Sequence, residues 1–135
     1  MGIEKFEDLK SWQEARKLTQ LVYRLTKKSP FSGDRGLSWQ MQDAAVSCMG
    51  NIAEAFGRFS FEDKRRFLDI SMGSSKETQS HLYVALDQAY ISQSQFDDAY
   101  RQAQVVDQLI DGAIENLDRQ IAHRSPDRPG PRRRS

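Results

Sequence analysis

Ser47-Cys48-Met49-Gly50-Asn51-Ile52-Ala53-Glu54-Ala55-Phe56-Gly57-Arg58 is the stretch that decides how the rest of the chain is read. Wound as a helix, it places Ser47, Asn51 and Glu54 at i, i+4 and i+7 in one polar row, which Arg58 extends by a turn. Cys48, Ile52, Ala55 and Phe59 make a neighbouring apolar row with the same spacing. A polar row beside an apolar one, on a segment almost free of surface-type lysine, implies polar groups that are partly buried and need partners. Small residues at Ala44, Ala45, Ser47, Gly50, Ala53 and Ala55 allow close approach of another backbone, so this helix belongs at the centre of the packing. Ser47, Asn51, Glu54 and Arg58 are therefore expected to form a structural polar seam that fixes helix register or a subunit interface.

Outward from this segment the periodicity is helical throughout. The central helix is expected over about 37–57, with Gly57 as a left-handed C-terminal residue. Upstream, Leu9, Trp12, Ala15, Leu18, Val22 and Leu25 recur near the 3.6 period, giving a helix over about 8–28 with Asp8 as its N-cap. Its lysines read as solvated, with Lys27 and Lys28 suiting the negative pole of the helix dipole. Downstream, Ser60 to Asp63 has the capping-box pattern and opens a helix over about 61–92. Gly73-Ser74-Ser75 is a propensity weak point in that helix, and close contact with the small residues of the central helix accounts for it. Ser94 to Asp97 repeats the capping-box pattern and starts a helix over about 95–122, on which Asp107, Asp111, Glu115 and Asp118 form an acidic solvated face. Four helices with short loops imply an all-α, up-down-up-down antiparallel four-helix bundle over 1–122, followed by a disordered basic Arg/Pro tail over 123–135.

The 135-residue length suits one domain. The single cysteine, Cys48, excludes an internal disulfide and suits a reducing compartment. With no signal-type or membrane-length apolar run, a cytoplasmic protein without membrane contact is expected. The tail carries five arginines against one aspartate, a net +4, so the body is −3 within the overall +1. In the bundle topology the start of the first helix, the second connection and the end of the fourth helix share one pole. Lys5, Lys10, Arg58, Lys64, Arg65, Arg66, Arg119, Arg124, Arg132, Arg133 and Arg134 gather there as candidate nucleic-acid-binding residues, diluted by nearby carboxylates. An interleaved aromatic and basic platform is not expected.

Four ordered motifs carry a family resemblance: Phe6 to Ala15, Gln40 to Ser47, Asn51 to Arg58, and Phe67 to Ser74. In them the chain resembles the bacterial 23S ribosomal RNA intervening-sequence proteins, from residue 6 to about 120, and most sharply at Asn51-Ile52-Ala53-Glu54. Met49-Gly50, Ala55 and Met72 depart from the family pattern. The resemblance implies a ring-like homopentamer of four-helix bundles, and contact with nucleic acid or a reverse transcriptase through distant relatives. The expected function is a non-enzymatic homo-oligomeric scaffold that binds RNA or DNA through the basic pole. A protein interaction module with no nucleic-acid role is the alternative, and a metal-binding bundle enzyme a remote one. No cofactor or metal is expected: Glu77 precedes His81 by four positions with no second copy, whereas di-iron bundles repeat a Glu-x-x-His pair.

Overall fold

A computed structural model describes residues 2–124. Four helices build it, α1 (Lys10–Thr26), α2 (Arg35–Gly57), α3 (Phe61–Asp87) and α4 (Gln93–Ala122), with single 3-10 turns at Phe6–Asp8 and Phe31–Gly33. Each helix packs on its neighbours in the chain and α1 closes onto α4, which is the expected up-down-up-down antiparallel bundle. The expected disordered tail lies outside the described residues from 125 onward.

Local chemistry moves the helix ends from their expected places. Asp8 does not cap α1; it lies inside the first 3-10 turn, and α1 starts after Leu9 without a side-chain cap. Asp34 caps α2 by accepting the Leu37 N–H at 3.1 Å, so this helix begins at Arg35. Gly57 stays helical, and no described glycine has a positive φ. At α4 the capping box is Ser92 with Gln95, two residues before the expected one: the Gln95 N–H donates to Ser92 Oγ at 3.1 Å and Gln95 Oε1 accepts the Ser92 N–H at 2.8 Å. The physical reason is apolar, because a cap at Ser92 puts buried Ile91 and Phe96 at the N′ and N4 positions of a hydrophobic staple. Helix α3 stops at Asp87 instead of running to 92. Its end is a Schellman motif, with Tyr90 N–H donating to Ala85 O at 2.9 Å and Ala89 N–H to Leu86 O at 3.0 Å. The left-handed residue of that motif is Ala89, at φ 60°, where a side chain is strained.

The core runs the length of the bundle through Leu18, Val22, Met41, Ile52, Leu82 and Ile110, all essentially inaccessible. Phe31 closes one end, stacked on Tyr90, whose hydroxyl donates to Asp34 Oδ2 at 3.0 Å. Helix α3 contributes a different kind of interior: Ser71, Ser74, Ser75, Thr78 and Gln79 are all buried. Their polar atoms are paired. Ser71 Oγ donates to Cys48 O at 2.6 Å, and Thr78 Oγ1 donates to Ser74 O at 2.9 Å. Asp107 is a correction to the acidic face expected on α4: it is buried, accepting from Ser75 Oγ at 2.6 Å, Gln79 Nε2 at 2.7 Å and Lys76 Nζ at 3.0 Å. The rest of that row, Asp111, Glu115 and Asp118, is exposed as expected.

Two predictions follow from local geometry. Ala89→Gly removes the left-handed strain, offset in part by a more flexible unfolded chain, and raises unfolding free energy by roughly 0.5–1 kcal/mol in denaturant titration. Burial pushes the Cys48 thiol from 9.0 up to about 11, against the weaker opposing effect of the Ser71 hydrogen bond. The folded thiol thus keeps its proton where the unfolded chain releases it, so stability falls as pH rises from 9 to about 11, and Cys48→Ala loses this part of the slope. Native protein is also expected to resist thiol alkylation at neutral pH until denaturant is added.

Candidate functional site

The polar seam of α2 divides into two units. Ser47 and Asn51 face α3: the hydroxyls of Ser47 and Ser74 lie 2.9 Å apart, and Asn51 Nδ2 donates to Ser47 O at 2.8 Å and to Ser47 Oγ at 3.1 Å. This is the close contact that the small residues anticipated between the two helices. Glu54 and Arg58 stand apart from it as a solvent-facing pair at 3.0 Å, with Glu54 half exposed where partial burial was expected. The glycines are not what permits the approach. Gly50 and Gly73 both face outward, and a Cβ added at either would meet nothing within 4 Å.

The shared pole forms as the topology requires. A cavity of about 190 Å³ lies where all four helix ends converge, lined chiefly by apolar groups including Leu9, Ile52, Phe56, Leu68 and Leu117. The cations expected there are largely engaged. Arg65 bridges α3 and α4, binding Asp118 Oδ1 at 2.5 Å and Asp69 Oδ2 at 2.6 Å. Arg124 holds Glu62 at 2.9 Å, and Arg66 lies 3.8 Å from Asp63. Lys64 Nζ donates to Phe56 O at 3.0 Å, serving the free carbonyls at the end of α2. Arg58 and Arg66 also sit over the Phe67 ring, 4.4 and 4.5 Å from its centroid. Lys5, Lys10 and Arg119 are exposed and carry no ion pair among the described residues, and Arg132, Arg133 and Arg134 lie outside those residues.

Two other surfaces have a stronger character than the pole. On the outer side of α2 and α3, Trp39, Val46, Ile70 and Val84 are 66%, 45%, 42% and 42% exposed, and Gly50 and Gly73 lie between them. Trp39, Val46, Gly50 and Ala53 follow the three-four spacing of a helix-packing seam, as do Ile70, Gly73, Glu77, Ser80 and Val84. The outer side of α1 is cationic. Over residues 10–28, which are α1 and the two lysines just past its end, Lys10, Arg16, Lys17, Arg24, Lys27 and Lys28 oppose only Glu14, a net +5, while α4 carries −4. Lys17 is paired with buried Glu14 at 2.8 Å, a contact that holds the Glu14 carboxyl below its ordinary value.

Aromatic rings accompany these cations. Arg16 lies over Trp12 at 5.8 Å and Lys27 over Tyr23 at 5.7 Å. This corrects the expectation that aromatic and basic residues do not interleave. The signal is in the sequence as ring and cation at i and i+4, repeated eleven residues later, but Trp12 also fits the apolar period of α1, which masks it. Among the described residues no group of three or more His, Cys, Asp or Glu is placed to hold a metal ion, and no helix is long and apolar enough to cross a membrane. His81 is instead 3.2 Å from Glu77 on its own helix.

The architecture recurs in a solved structure. A protein of unknown function from the S23 ribosomal protein family of Bacteroides thetaiotaomicron VPI-5482 superposes with a TM-score of 0.67 at 22% identity, over 78% of this chain and 94% of that one. At that identity the likeness concerns the fold. No curated protein matches the chain. The description of the 23S rRNA-intervening sequence proteins matches residues 7–112, which takes in α1, α2, α3 and two-thirds of α4. On that match and the bundle just described, the chain belongs to the 23S rRNA-intervening sequence protein family.

Proposed function

We propose that the protein is a non-catalytic scaffold that assembles with copies of itself through the outer face of α2 and α3, in the ring-like pentamer that the family resemblance implies. The observation that carries this reading is the pairing of exposed apolar side chains with outward glycines on the same two helices. Glycine in a helix interior costs about 1 kcal/mol relative to alanine, and neither Gly50 nor Gly73 is required by a contact inside the bundle. A second copy packed on this face would supply the missing reason, because small residues let two helices approach closely.

Nucleic acid at the shared pole has less support. It would rely on Lys5, Lys10 and Arg119 among the described residues, since Arg58, Arg65, Arg66 and Arg124 already face carboxylates. A phosphate would have to compete with partners held at these distances. An interaction module without a nucleic-acid role rests on the same α2–α3 face, with a different protein as the occupant.

Light scattering after size exclusion checks the assembly. Wild-type protein at micromolar concentration is expected to be an oligomer, and Val46→Glu or Ile70→Glu a helical monomer; a monomeric wild type defeats the reading. Gly73→Ala separates folding from assembly. It should stabilise an isolated bundle by about 1 kcal/mol and yet weaken the oligomer. Asn51→Ala, which removes the two hydrogen bonds that Asn51 makes to Ser47 within α2, is expected to lower stability by about 1 kcal/mol, whereas Glu54→Ala changes it by less than about 0.5 kcal/mol because its ion pair is exposed.

A further inference from the structure

The cationic side of α1 is more than a charged surface. A groove of about 510 Å³ opens on it, lined by Glu7, Trp12, Gln13, Arg16, Lys17 and Gln20. It brings together an aromatic ring, two cations and two amides, in a volume suited to a small planar ligand. Trp12 is held by Phe6 in a T-shaped contact, 5.1 Å between centroids and 71° between planes. Arg16 lies over the ring. Gln13 donates to Glu7 O at 3.0 Å, which fixes its amide at the groove wall. Glu7 is the one carboxylate among the lining residues, and Arg16 and Lys17 outnumber it.

The second ring and cation, Tyr23 and Lys27, repeat the pair after eleven residues. Eleven residues make a rotation close to three full turns, so both pairs point the same way, separated by roughly 16 Å of helix. We propose that this face of α1 is a binding site for single-stranded nucleic acid, with one base stacked at Trp12 and Arg16 and the phosphate backbone following α1 towards Tyr23 and Lys27. Sequence-tolerant single-strand sites use this combination, rings or guanidinium planes for base faces and clustered cations for phosphate. Among the described residues Arg16, Arg24, Lys27 and Lys28 make no ion pair, unlike Arg58, Arg65, Arg66 and Arg124 of the shared pole. A duplex hides its base faces and would leave Trp12 unused. An acidic protein surface would satisfy the cations but has no chemical need for the two rings. The lining residues all come from α1 and the turn before it, and none is among the exposed apolar residues of α2 and α3.

The test uses the full-length chain with Trp39→Phe, so that Trp12 is its sole tryptophan. A labelled oligouridylate of about 12 nucleotides is titrated by anisotropy at about 50 mM salt and again at higher salt. Binding is expected to weaken with salt and to quench Trp12 emission. Arg16→Glu with Lys27→Glu, both at exposed positions, is expected to raise Kd at least about tenfold and flatten the salt dependence. The tail arginines are common to both proteins, so the difference reports α1. Equal affinity in the double variant, unchanged Trp12 emission at saturation, or equally tight binding of a polyglutamate peptide would each overturn the site.

Discussion

The contact between α2 and α3 is the constraint on which the rest of the molecule depends. Helix α2 offers Ala44, Ala45 and Cys48, and α3 offers Ser71, Ser74, Ser75 and Thr78, all buried. Side chains this small bring two backbones close, at the cost of placing hydroxyls in a dry interface. Each hydroxyl must then find an acceptor, since an unpaired buried polar group costs about 1–3 kcal/mol. Ser71 uses Cys48 O, Thr78 uses Ser74 O, and Ser75 uses Asp107 on α4. The geometry needed to satisfy all of them sets the register of α2 on α3 and ties α4 to both.

Asp107 shows how far that requirement reaches. A buried carboxylate is tolerated only with charge or hydrogen-bond compensation, and Asp107 has a serine, a glutamine and a lysine around it. Lys76 stays largely in solvent and extends its ammonium group to the buried oxygen. The Asp107 contact raises the Lys76 pKa, so the ammonium group holds its charge beside the buried oxygen. The same logic of local pairing explains the shared pole, where close carboxylates use up most of the arginines. Charge that is left over collects on α1. With residues 10–28 at +5 and α4 at −4, a nearly neutral chain acquires one cationic flank and one acidic flank.

Much of this is legible in the sequence. The four helices, their order and their antiparallel arrangement follow from apolar period, short connections and capping residues. The close approach of the Ser47 and Ser74 segments follows from side-chain size. Helix ends were less legible, because Ser92 and Ser94 both have a capping partner three residues on, and only the burial of Ile91 and Phe96 selects between them. Ala89 was hidden for a related reason. A left-handed helix terminus is recognised by glycine, and here an alanine occupies it.

By itself the sequence determined the fold class, the family motifs and the position of the small-residue helices, since these depend on periodicity and on local chemistry that each residue carries with it. Only the tertiary structure decided which polar groups meet. Asp107 and Asp111 are equivalent along α4, yet one is buried among α3 side chains and the other is solvated. Arg65 and Arg16 are equivalent as arginines, yet one closes on Asp118 across the bundle while the other lies over Trp12 and faces solvent. Pairing between residues far apart in the chain depends on helix rotation and register, which emerge only when the hydroxyl row of α3 finds its acceptors.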